Sequence, residues 1–157
     1  MDDLDCRILA TISDQGYDVV SVGADGDATP SFSYSVGMAA SLKRPDVIVI
    51  GLSIELGGRL VDEYCRRTKS GERFKVGDRY RGFLDGFDVC FEHVAPSNYE
   101  TYLRFNVWGY GGRKVEALQL LYPNTSAVWP WEAEAGDWFR SYQRILTADG
   151  RTANDEA

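Results

Sequence analysis

The sequence predicts a single α+β domain with a mixed, largely antiparallel sheet packed against three to four helices. Three observations lead there. Segments with strand character and segments of helical period follow one another without the strict alternation of a parallel sheet. Two strand segments, "YDVVSV" and "SFSYSVGM", flank the Gly-rich turn "GADGDATP" and so predict a hairpin. The 157 residues, 44% apolar and 13% aromatic, suffice for one core and exclude a disordered chain.

The elements follow in order. Asp2 or Asp3 caps a first helix, whose apolar stripe is Leu4, Ile8, Leu9 and Ile12, and Gly16 ends it. The hairpin comes next, with strands over Val19–Val22 and Phe32–Val36. "ASLKRP" is a connector, and "DVIVIGL" reads as a strand buried on both faces. Ser53 caps a helix with Leu56, Leu60 and Tyr64 on one side, beside Val61 and Cys65. Arg66, Arg67 and Lys69 match the negative end of its dipole. "RFKVGDRY" and "FDVCFEHV" read as two strands. "SNYE", Ser97 to Glu100, is a capping box that opens a helix running to about Trp108. "ALQLLYP" is the last strand, and Trp138, Tyr142 and Ile145 mark a final helix. The domain is expected to span 1–147, with a polar disordered tail over 148–157.

Charge narrows the function classes. A net charge of −7 opposes binding to nucleic acid or to an anionic membrane, because both need cations to neutralise phosphates. It suits a basic protein partner. "VIVIGL" is too short to span a bilayer, and "MDDLDCRILA" lacks the basic and apolar regions of a secretory signal. Cys6, Cys65 and Cys90 are odd in number and widely spaced, which predicts free thiols in the cytoplasm.

His93 is the only histidine. It removes most catalytic templates and every His-rich metal site, so neither a catalytic set nor a metal site is expected. It reads as the end of a core strand, on the face of Phe87, Val89 and Phe91. Asp85, Asp88 and Glu92 read as a solvated face rather than a paired-carboxylate site. "GYGGRK", Gly109 to Lys114, has two readings. Its glycines could aim successive N–H groups at an anion, with Tyr110, Gly111, Gly112 and Arg113 around it, or they could cap a helix and turn the chain. Trp129 and Trp131 in "VWPWE" either bury against the sheet or line a pocket or interface.

"PSFSYSVGM" places Ser31, Ser33, Ser35 and Gly37 on one side of a strand and Phe32, Tyr34, Val36 and Met38 on the other. The small side is flat. A helix of this chain, a partner or a planar cofactor could cover it, and Gly37 permits the closest approach.

"FSYSVGM", "RPDVIVIGL" and "ALQLLYPNTSAVWPWE" together resemble the bacterial domain-of-unknown-function family 4262. Its members carry a Phe-x-Tyr-Thr-x-Gly-Leu strand, an apolar strand ending in Gly-Leu, and a Leu-Gln-Leu-x-x-Pro-Asp segment closing on Phe-Pro-Trp. The likeness runs from about Tyr17 to Glu132. Shared positions are Phe32, Tyr34, Gly37, Gly51, Leu118, Gln119, Leu120, Pro123, Pro130 and Trp131, and Tyr110 to Gly112 match a Tyr-Gly-Gly. The chain departs at Ser35, Met38, Asn124 and Trp129, where Thr, Leu, Asp and Phe are usual. The resemblance implies a fold neighbourhood and no activity.

Two functional classes follow. One is a non-enzymatic acidic module that binds a basic protein, such as an immunity- or antitoxin-type inhibitor. The other is a small domain that binds a cofactor or phosphate ligand, with a flavin split-barrel as the fold analogy. The candidate binding residues are Ser33, Tyr34, Ser35, Gly37, Tyr110, Gly111, Gly112, Arg113, Gln119, Trp129 and Trp131.

Overall fold

The computed structural model describes residues 3–24, 30–110 and 116–152. Helix α1 (Asp3–Gln15) starts on acidic residues, which suit the positive end of its dipole. It stops at Gly16, whose φ of 96° glycine adopts without strain. Of its expected stripe, Ile8 is buried and Ile12 half-buried, while Leu4 and Leu9 are exposed. Strands β1 (Asp18–Val22) and β2 (Phe32–Val36) pair antiparallel from Asp18 opposite Val36 to Val22 opposite Phe32, as the hairpin reading expects.

The connector after β2 contains a further short helix, α2 (Met38–Leu42). It leads into β3 (Asp46–Ile50), every residue of which is buried. Helix α3 (Ile54–Lys69) is capped by Ser53, whose Oγ accepts from the Leu56 amide at 3.1 Å. It buries Leu60, Val61, Tyr64 and Cys65. Strands β4 (Arg79–Leu84) and β5 (Phe87–His93) form a second hairpin. Two short helices, α4 (Tyr99–Tyr102) and α5 (Arg104–Gly109), precede β6 (Ala117–Leu121), and α6 (Gly136–Tyr142) follows it.

The six strands lie in the order β1-β2-β3-β6-β5-β4. The β3–β6 pair is parallel and the other four pairs are antiparallel. The result is an α+β domain with a mostly antiparallel mixed sheet. Strand alternation divides the core in two. Val47, Val49, Val89, Phe91, Leu118 and Leu120 point to the α3 face, where they join Leu60, Val61 and Tyr64. Phe32, Tyr34, Val36, Ile48 and Ile50 point to the other face, among Ile8, Tyr99 and Leu103.

Four local expectations are corrected. "RFKVGDRY" enters a strand only at Arg79. Before that, Gly77 (φ 90°) turns the chain, and the Phe74 ring packs 4.9 Å from both Tyr80 and Phe91. Burying that ring outweighs pairing of the segment. The "SNYE" capping box does not form. Pro96 starts a 3-10 turn over Pro96–Asn98, which puts Ser97 inside the turn, and the helix beyond breaks at Leu103. Ile145 lies past the end of α6. With α2 and the split between α4 and α5, the described residues hold six α-helices rather than three to four. Of the tail expected from residue 148, the part up to 152 is described, and there Thr147 Oγ1 donates to the Arg151 carbonyl.

Gly51 (φ 95°) has no room for a side chain, since a Cβ there would lie 2.5 Å from the Tyr122 phenol oxygen. That phenol donates to the Ile50 carbonyl at 2.7 Å. Gly51→Ala is therefore expected to cost about 2–4 kcal/mol through strain and overpacking combined. Urea unfolding of Gly51→Ala, Tyr122→Phe and the double variant checks it. The double variant should be more stable than the sum of the single losses implies, because one substitution makes room for the other.

Candidate functional site

Asp46, the first residue of β3, is fully buried. Its Oδ1 accepts from Ser35 Oγ at 2.8 Å and from the Met38 amide at 3.1 Å, and its Oδ2 accepts from the Tyr110 phenol at 3.0 Å. The neighbouring groups complete a network. Val47 N–H donates to Ser35 Oγ, Gly37 N–H donates to the Tyr110 oxygen, and Asn106 Nδ2 donates to the Ser35 carbonyl. Burial pushes the Asp46 carboxyl up to about 6, and the hydrogen bonds from Ser35, Met38 and Tyr110 oppose that rise. The sequence reading passed over Asp46. Its signal was an acid at the mouth of an otherwise apolar strand, in "RPDVIVIGL".

The small-residue side of β2 is covered by α3. A Cβ on Gly57 would sit 3.2 Å from Ser33 Oγ, which is how closely the helix approaches. Ser33 and Ser21 share a hydrogen bond of 2.9 Å, and Ser31 donates to the Leu52 carbonyl. On the other side, the Tyr34 oxygen accepts from the Phe105 amide at 3.1 Å. Gly37 (φ 99°) faces Ile12, whose Cγ2 would lie 2.8 Å from an added Cβ.

Gln119 is also fully buried. Its Nε2 donates to the Arg144 carbonyl at 2.6 Å, and its Oε1 accepts from the Leu146 amide. Gln143 mirrors it by exchanging two bonds with the backbone of Tyr122. The two amides fasten the segment after α6 to β6. Asn124 Oδ1 accepts from the amides of Ser126 and Val128 and shapes the turn before Trp129. A carboxylate could accept the same two bonds.

Trp129 is buried against Cys90 and Leu121 and stacks on the half-buried Trp131 at 4.8 Å. Trp131, Pro130, Asn98 and Arg144 line a cleft of about 660 Å³. Gly111, Gly112 and Arg113, with Lys114, lie outside the described residues.

The remaining reactive groups do not converge. Burial, followed by the charge of Asp46, raises the Cys65 thiol, and burial raises Cys90 to about 12. Neither is poised as a thiolate. His93 is exposed, with Nδ1 3.6 Å from Glu116. Glu92 is buried, while Asp88 faces Arg81 at 3.7 Å. Among the described residues no group of three His, Cys, Asp or Glu could hold a metal ion, and no helix is long and apolar enough to cross a membrane. The sequence reading also missed Trp138 as a surface residue. It is 73% exposed and stacks on Tyr142 at 4.7 Å.

Fold and site thus define an α+β domain whose polar interior ties the sheet to its flanking segments. Residues 11–136 match the family model "Domain of unknown function (DUF4262)", and the chain belongs to that family. No curated protein and no solved structure matches it.

Replacing Tyr110 with Phe leaves Asp46 Oδ2 and the Gly37 amide short of a partner. The expected loss is about 1–3 kcal/mol at pH 7, measured by urea unfolding. An unchanged stability would mean that the phenol does not hold these groups.

Proposed function

We propose that the protein is a non-enzymatic acidic module that docks a basic protein segment on the outer face of α6. The observation that carries this reading is Trp138. An indole so exposed, stacked on a second ring, is a surface feature that the fold does not use. Glu134 and Asp137 flank it and are exposed. Arg140 is the nearby cation; its guanidinium donates to the carbonyls of Pro130, Glu132 and Ala133, and its Nη1 lies 3.9 Å from Asp137 Oδ1, a loose and solvent-exposed pair that a basic partner would compete with. An aromatic platform with carboxylates beside it suits an arginine or lysine side chain, through cation–π and ionic attraction together. The chain's net charge of −7 would steer such a partner inward.

The chemistry left inside the fold favours the same reading. The Asp46, Ser35 and Tyr110 groups are spent on one another, and the buried thiols are raised away from reactivity. Inhibitors of the immunity or antitoxin type belong to this functional class. Three free cysteines support a cytoplasmic location.

Calorimetric titration with an arginine-rich peptide, with a glutamate-rich peptide as control, tests the proposal. Saturable binding to the basic peptide is expected, weakened roughly tenfold or more in Trp138→Ala and falling as salt is raised. Equal affinity of wild type and variant would reject the α6 face.

A further inference from the structure

A second surface carries the opposite charge. Lys43, Arg44, Arg73 and Lys75 line a cleft of about 440 Å³ between the turn after α2, the C-terminal end of α3 and the segment before β4. Four cations gathered in one hollow are unexpected on a chain of net charge −7. Two carboxylates, Glu72 and Glu116, also line it. Glu72 is held by a two-pronged pair with Arg67, and Glu116 faces His93. Lys43, Arg44 and Lys75 make no side-chain hydrogen bond or ion pair among the described residues. Arg73 is fixed in place, because its Nη1 donates to the carbonyls of Thr68 and Glu72.

The backbone adds a second observation. Lys43 sits in the left-handed region, with φ of 56°, which disfavours residues other than glycine or asparagine. The Lys43 amide closes α2 by donating to the Met38 carbonyl. The left-handed cap of α2 thereby turns the chain so that Lys43 lies among the residues that line the cleft. One wall of the cleft is apolar, formed by Pro45, Phe74 and Val76.

We propose that this cleft binds a small organic phosphate. The lysines and arginines would take the phosphate oxygens, and the Pro45–Phe74 wall would take the organic part. The volume fits a small molecule, and the net charge of the chain opposes a nucleic-acid strand. The cleft shares no lining residue with the α6 patch, so the two readings fail independently.

Calorimetry with the full chain, using inorganic phosphate and phenyl phosphate at fixed ionic strength, tests this site. Saturable one-site binding is expected, tighter for phenyl phosphate. The double variant Lys43→Glu/Lys75→Glu should weaken it at least tenfold, with Tm unchanged. Arg59→Glu/Arg104→Glu, which makes the same charge change elsewhere, should leave it nearly intact. If the first double variant melts early, Lys75→Gln alone makes the same comparison, with a smaller loss expected. Absence of saturable binding, or an equal loss in both double variants, would overturn the site. Inorganic phosphate binding as tightly as phenyl phosphate would overturn the role of the apolar wall.

Discussion

A carboxylate with no solvent exposure, Asp46, sets the terms for the segments around it. A charge buried without partners costs far more than any single packing contact supplies, so every donor that reaches it is constrained. Ser35 comes from β2, the Met38 amide from the start of α2, and Tyr110 from the end of α5. Ser35 passes the constraint on, because its oxygen also accepts from Val47 and its carbonyl from Asn106. One side chain thereby ties a hairpin strand, the strand beside it, a connecting helix and the helical segment on the opposite face.

This network explains residues whose role looked ambiguous in isolation. The serines of β2 are not an open platform, because α3 lies across Ser33 while Ser35 serves the carboxylate. Gly37 combines a positive φ, close contact with Ile12 and an amide aimed at Tyr110. Gln119 in the middle of β6 and Gly51 at the far end of β3 do comparable work. Residues of the family motifs are therefore largely occupied in holding the fold. Function is better sought where side chains are left without an internal task, at Trp138 and around Lys43 and Lys75.

Local patterns carried much of this into the sequence. The hairpin, the β-branched run of β3 and the Ser53 cap were legible because each depends on neighbours a few residues apart. The errors came where distant groups decided the outcome. "RFKVGDRY" has strand composition, but Phe74 is claimed by rings on α3, β4 and β5. In the sequence Trp129 is a candidate for burial or for an interface and Trp138 only part of a final helix, yet the first is buried against β5 and β6 and the second faces solvent. Asp46 resembled an ordinary strand entry. Its role appears only when Tyr110, far along the chain, is brought to it.

The stability of wild type and Asp46→Asn as a function of pH tests the network most directly. The folded carboxyl titrates at about 6 against an ordinary 3.8. Between those values the folded protein keeps a proton that the unfolded chain has released. The group's stability contribution therefore falls as pH rises through that window, by about 2–4 kcal/mol in all. Asparagine cannot titrate, so the stability of wild type relative to Asp46→Asn should rise by that amount as the pH is lowered from 7 to 4. A difference that stays constant, or that falls on acidification, would contradict this, because burial would then not outweigh the donors in setting the Asp46 carboxyl.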